Sequence, residues 1–178
     1  MPRMLNFGCA DVQPEAWFNV DTLDFGQRYL ADILEGLPFN DDYFDCAVVN
    51  HVLHMFSWDD LIESALPELR RVLRPGGVLR VIDMDPVKAF KAYDTGNAAS
   101  FPIDDEQGRT IDGKFCLYLT WYGTRKNICT SSYLRELLAD AGFSHITIQS
   151  PGCTIYESMA IADLDSRPDE SYTVEARK

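Results

Sequence analysis

Residues 44–50 read Phe44-Asp45-Cys46-Ala47-Val48-Val49-Asn50. A strand with one wet face would alternate apolar and polar, but Cys46 to Val49 is unbroken, the mark of a parallel strand covered on both faces. Upstream, Leu37-Pro38-Phe39-Asn40-Asp41-Asp42 is turn chemistry. Downstream, Leu61, Ile62, Ala65, Leu66, Leu69, Val72 and Leu73 recur at spacings of three and four, which predicts a helix over residues 59–73. Ser57 or Asp59 can cap its start, Pro67 should kink it, and Pro75-Gly76-Gly77 should end it with a left-handed glycine cap. Val78 to Ile82 is then a strand. Strand, helix and strand in this order form a βαβ unit, and the chain is read outward from it.

Toward the N-terminus, Arg3–Phe7 is a short strand ending at Gly8, Trp17–Asp21 a second, and Tyr29–Asp32 a third. Only Gly8 to Ala16 separates the first two, too little for a full crossover helix, so that helix should be shortened or absent. Toward the C-terminus, residues 86–130 show no clean period and are rich in Gly, Asp and aromatics. A capped amphipathic helix follows over Ser131–Ala141 and stops at Gly142, then strands over His145–Gln149 and Tyr172–Ala176. The expected fold is α/β, a Rossmann-like, mostly parallel sheet with an antiparallel last strand. At 178 residues the chain should form one domain, with 86–130 an insert that caps the substrate side.

Composition narrows the function. The net charge is −12, and residues 1–60 carry 11 acidic but only 2 basic side chains. Such a surface repels phosphate, so nucleic acid is a disfavoured partner, although residues 61–91 run 6 basic to 4 acidic. No apolar run reaches the length of a membrane span, and Met1 to Phe7 is too short for a signal peptide. Five cysteines, an odd count with no CxxC, suggest reduced thiols in a cytoplasmic protein. His51 and His54 are three apart, but no third ligand has metal-like spacing, so no metal is expected.

In open α/β sheets the ligand lies off the carboxyl ends of the strands. There the sequence places Gly8-Cys9-Ala10 after strand one, Asp21 after strand two, Asp32 after strand three, and Asn50 and His51 after strand four. A glycine permitting close approach, then acids to accept ribose hydroxyls and an adenine amine, describes a nucleoside pocket. Neither GxGxxG nor GxxxxGK[ST] is present, which argues against a nicotinamide oxidoreductase and against a pyrophosphate ligand. Acidic walls without a phosphate cradle suit a positively charged nucleoside such as S-adenosylmethionine.

Five segments, Leu5–Ala10, Trp17–Asp21, Asp32–Phe39, Phe44–Leu53 and Leu69–Gly77, together with Leu138–Phe143, resemble the compact class I S-adenosylmethionine-dependent methyltransferases. The resemblance implies Gly8, Cys9 and Ala10 beside the methionine part of the cofactor, Asp21 on the ribose, Asp32 and Ile33 around the adenine, and Asn50 and His51 facing the methyl group. By position His51 is the candidate general base, and His54 is read as structural. Trp121, Tyr122 and Arg125 are expected to meet the acceptor, a small molecule or saccharide. The family usually has glycine where Ala10 stands; if that position needs positive φ, the methyl group costs roughly 1–2 kcal/mol. The alternative is a cofactor-binding module without turnover. The oligomeric state is left open.

Overall fold

The computed structural model describes residues 2–156, 161–165 and 167–178. Its centre is a seven-stranded sheet built from β1 (Met4–Phe7), β2 (Phe18–Asp21), β3 (Tyr29–Leu30), β4 (Phe44–Asn50), β5 (Leu73–Met84), β6 (Ser144–Gln149) and β7 (Ser171–Arg177). The strand order is β3-β2-β1-β4-β5-β7-β6. Strands β1 to β5 pair in parallel, whereas β7 slots between β5 and β6 antiparallel to both. The Rossmann-like α/β reading holds, including its antiparallel last strand.

The decisive strand occupies residues 44–50, and its side chains divide as the apolar run requires. Ala47 and Val49 enter the core on one face, while Cys46 and Val48 enter the core on the other. Residues 8–17 make turns and carry no helix, as their number dictates. Two asparagines hold this bare connection down. Asn6 Nδ2 donates to Val12 O (2.7 Å) and to Asn19 Oδ1 (3.0 Å), and Asn19 Nδ2 donates to Pro14 O (3.0 Å).

Helical structure over 58–72 is present in three pieces: α1 (Trp58–Asp60), a π turn (Leu61–Ala65) and α2 (Leu66–Val72). Ser57 is the cap, its Oγ accepting from Asp60 N at 3.1 Å. The widened π turn lies just ahead of Pro67, whose ring and missing N–H do not fit a regular ladder. Pro75-Gly76-Gly77 is not a helix cap, however. The chain is already extended at Leu73, and Gly76 N–H donates to Lys178 O within the sheet (2.9 Å).

The segment 86–130, without a period in sequence, contains two helices, α3 (Pro86–Asp94) and α4 (Ile111–Thr120). They pack with Phe101 and Ile103 into a small apolar cluster apart from the main core. Helix α5 (Ser131–Asp140) is capped by Thr130 and packs Leu134, Leu137 and Leu138 onto the sheet beside α2. On the opposite face Tyr156, Ile161 and Leu164 cover Met4, Cys46, Val48 and Ile82. Buried Arg80 pins that cover, pairing with Asp165 and Glu175 (each 2.5 Å) and donating to Cys153 O (3.0 Å). Removing one member of such a buried set costs about 3–5 kcal/mol. No helix among the described residues is long and apolar enough to cross a membrane.

Candidate functional site

A cavity of about 730 Å³ opens at the carboxyl ends of the first four strands, a size suited to a nucleoside-sized ligand with a small co-substrate. The loop after β1 forms one wall. Gly8 has φ +72°, and its N–H and that of Cys9 both donate to Val20 O (2.9 and 3.2 Å), folding the loop over the tip of β2. Ala10 has φ +42°, so this position does adopt the left-handed backbone that favours glycine. Its N–H donates to Asp21 Oδ2 at 3.0 Å, while Asp21 Oδ1 accepts from Leu23 N at 3.1 Å. Each carboxylate oxygen thus has one backbone partner and keeps acceptor capacity for a ligand. Cys9 is buried, and burial, with the Asp21 charge, pushes its thiol up to about 11.

Asp32 lines the cavity and accepts from Leu34 N at 2.9 Å. Ile33 does not reach it: the side chain is buried in the main core, and Leu34 lines the wall instead. A turn sends neighbouring side chains to opposite sides, and the sequence carries no mark of which goes out. Asn50 borders the cavity and donates to Leu164 O at 2.6 Å.

His51 also lies on the wall, with φ +55°. Its Nε2 is 2.8 Å from Ser171 Oγ, and its Nδ1 is shielded from solvent, with no hydrogen-bond partner, 3.9 Å from Asp83 Oδ1. Burial lowers its imidazole to about 4 against the opposing pull of Asp83, so the ring is neutral at pH 7. Neutrality suits a base, but one nitrogen is engaged and the other sealed, which weighs against the assignment made from position. His54 is clamped in place. Its Nδ1 lies 2.5 Å from Asp83 Oδ1, its N–H reaches Asp83 Oδ2 (3.2 Å), and its carbonyl accepts from Lys126 and Asn127 (2.8 and 3.3 Å). Burial would raise the Asp83 carboxyl, but the His54 hydrogen bond, the two imidazoles and Met84 N–H hold it below the usual range.

Of the residues expected to meet an acceptor, Trp121 and Arg125 reach the cavity, whereas Tyr122, half exposed, does not line it. Arg125 lies over the rings of Tyr118 and Trp121 (5.0 and 5.3 Å) and donates to Tyr118 O. Lys126 and Arg167 join it, so this side is cationic while Asp11, Asp21 and Asp32 make the other side acidic. Sequence reasoning missed Arg167 and Asp83. Arg167 carries no motif, and Asp83 comes beside the histidines only because β4 and β5 pair Asn50 with Ile82.

A family described as a methyltransferase domain matches residues 6–81 by its sequence model. The ubiquinone/menaquinone biosynthesis C-methyltransferase UbiE of Yersinia pestis (strain Pestoides F) is 33% identical over 126 residues, 67% of this chain and 46% of that protein. The chain therefore spans about half the length of the curated relatives it matches. Among solved structures, a SAM-dependent methyltransferase from Archaeoglobus fulgidus superposes with a TM-score of 0.65 at 15% identity, over 99% of this chain and 86% of that one. The [4+2]-cyclase SpnF superposes at 0.55 with 20% identity, over 99% and 75%. At such identities the likeness concerns the fold, and that fold also serves a protein named for a different reaction.

Proposed function

Because this chain belongs to the class I S-adenosylmethionine-dependent methyltransferase family, we propose that its cavity binds S-adenosylmethionine and directs the methyl group to a small-molecule or saccharide-type acceptor. One observation carries the reading: Asp21, at the tip of β2 in the cavity wall, holds the glycine loop through Ala10 N–H and keeps lone pairs for a ribose diol. Asp32 stands one strand further out, where an adenine amine would find an acceptor. Asp11, Asp21 and Asp32 together offset the sulfonium and ammonium charges of that cofactor.

The bound cofactor supplies an electrophilic methyl group. The chain's part is to align an acceptor with that carbon and to exclude water, and such proximity contributes about 7–11 kcal/mol in well-oriented systems. The segment 86–130 is the acceptor-side cap, contributing Trp121, Thr124, Arg125 and Lys126. Its cations, with Arg167, favour an acceptor that carries a carboxylate, a phosphate or an acidic sugar. Asn50 and His51 complete the floor, with His51 orienting the site through Ser171 instead of exchanging a proton itself.

A second reading, a cofactor-binding module without turnover, is favoured by the left-handed Ala10, whose methyl group costs roughly 1–2 kcal/mol, or about tenfold in affinity if charged to the bound state. Calorimetric titration with S-adenosylmethionine and S-adenosylhomocysteine tests the site. Micromolar binding, weakened at least about tenfold by Asp21→Ala, is the expected result, and no binding at millimolar cofactor overturns it. Conversion of bound S-adenosylmethionine to S-adenosylhomocysteine with an anionic acceptor library separates the two readings.

A further inference from the structure

The hydrogen bonds around His51 fix its tautomer. Ser171 has one hydroxyl proton, which it donates to Arg167 O at 2.8 Å. Toward His51 it can therefore only accept, so the imidazole proton is on Nε2 and the Nδ1 lone pair is bare. That lone pair is sealed from solvent, has no hydrogen-bond partner and faces Asp83 Oδ1 across 3.9 Å. Two acceptors cannot satisfy one another, and a buried acceptor left alone is costly enough to demand a partner. His54 Nδ1 approaches the same Oδ1 at 2.5 Å, and the three donor atoms lie within 4.8 Å of each other.

We propose that His51, His54 and Asp83 form a binding site for a divalent first-row transition ion of the zinc class. Ligands about 2.0–2.2 Å from a tetrahedral ion sit roughly 3.4 Å apart. The 3.9 Å and 2.5 Å separations straddle that value, so a small rotation of the two rings opens the space. The ion takes the position of the proton between His54 and Asp83 and fills the vacant acceptor of His51. The two imidazoles are borderline donors that favour zinc-like ions over magnesium or calcium, and the harder carboxylate completes the set.

The outer contacts match what such sites need. His51 donates its other N–H to Ser171, which fixes the ring, and Met84 N–H holds Asp83 Oδ1 at 2.7 Å. Three protein ligands leave a coordination position free, the pattern of reactive sites in contrast to closed structural ones. His51 and His54 both border the cavity, but the three ligand atoms face inward, sealed from it, so the fourth position is buried beneath the cavity wall. The site itself does not depend on the methyl-transfer reading.

Cobalt(II) titration of chelator-treated protein tests the site with the metal alone, after alkylation of the exposed thiols Cys116 and Cys153. One Co²⁺ per chain with visible ligand-field bands, displaced by Zn²⁺, is expected. His51→Gln should abolish the bands. Ser171→Ala, which spares every ligand, should weaken binding about tenfold. Asp83→Asn is a second ligand variant, read only if its circular dichroism matches the parent, and surface His145→Gln is the control. No bands at saturating cobalt, or bands unchanged in His51→Gln, overturn the proposal. Titration of the same samples with S-adenosylmethionine reports the cofactor site separately, so failure of either site is seen on its own.

Discussion

Gly8 and Val52 stand so close that no side chain fits between them: a Cβ built on Gly8 would lie 2.0 Å from Val52 Cγ2. The contact joins the loop after β1 to the loop after β4, the two walls of the cavity. Gly8→Ala meets both this clash and the left-handed backbone at φ +72°, and should cost about 3 kcal/mol. Val52→Ala in the same chain should recover the steric part and leave roughly 1–2 kcal/mol of backbone strain. Denaturant melts of the four-member cycle check this; additive losses would show that the contact is not the cause.

Ala10 makes the opposite case. Ala10→Gly removes the Cβ strain at φ +42° and should stabilise the chain by about 1 kcal/mol, net of the greater unfolded-state freedom of glycine. Thermal melts should rise by about 2–4 °C. Affinity for S-adenosylmethionine should rise as well if the strain is felt in the bound state. An unchanged or lower melting temperature would mean that the loop carries no strain at residue 10.

Glu68 is the acid-sensitive joint between α2 and the turn before β4. Its Oε1 accepts from Leu37 N (2.6 Å) and both its oxygens accept from Arg71 (2.7 Å each). Burial raises its carboxyl, but these donors outweigh burial and hold it below the usual range. A depressed acid stabilises the fold above its unfolded pKa and loses that contribution as pH falls through the folded value. Glu68→Gln should therefore cost about 1–2 kcal/mol at pH 7. The gap to the parent should close on acidification below about pH 4–5. A gap independent of pH would refute the charge-based account.

The five thiols should separate into two classes. Cys116 and Cys153 are exposed, whereas Cys9, Cys46 and Cys129 are buried. Burial also raises the thiols of Cys9 and Cys129, to about 11 and about 12. Thiolate is the reactive form, so a thiol reagent at pH 8 should titrate two groups quickly and three only on unfolding. Rapid labelling of Cys9 would mean that the cavity loop opens in solution.

The strand at 44–50 was legible because burial on both faces leaves no room for a polar alternation. The bare connection 8–17 was legible from its length alone. Helices α3 and α4 were not, and the reason is physical. Pro86 and Ala89 are the buried residues of α3, while Val87 and Phe90 are exposed, so its large apolar residues do not mark the packed face. Helix α4 buries Tyr118 fully and shares a small side cluster, which imposes little periodicity. At the cavity, Asp21 and Asp32 followed from the rule that ligands collect at strand ends. The turn at residues 31–34 put Leu34 on the wall and Ile33 in the core, a choice made by local backbone direction. Asp83 was invisible for another reason: it meets His54 across 29 positions, through strand pairing that no local spacing encodes.

Strand β7 has a consequence for how the molecule is made. It fills the slot between β5 and β6, so β5 keeps an unpaired edge until residues 171–177 leave the ribosome. At ordinary elongation rates the interval after β5 lasts about 5–20 s. Throughout it Val78, Leu79, Val81 and Ile82 border a bare hydrogen-bonding edge, the kind of surface that recruits foreign strands. Yield in cells should then depend less on the finished fold than on what shields that edge during translation.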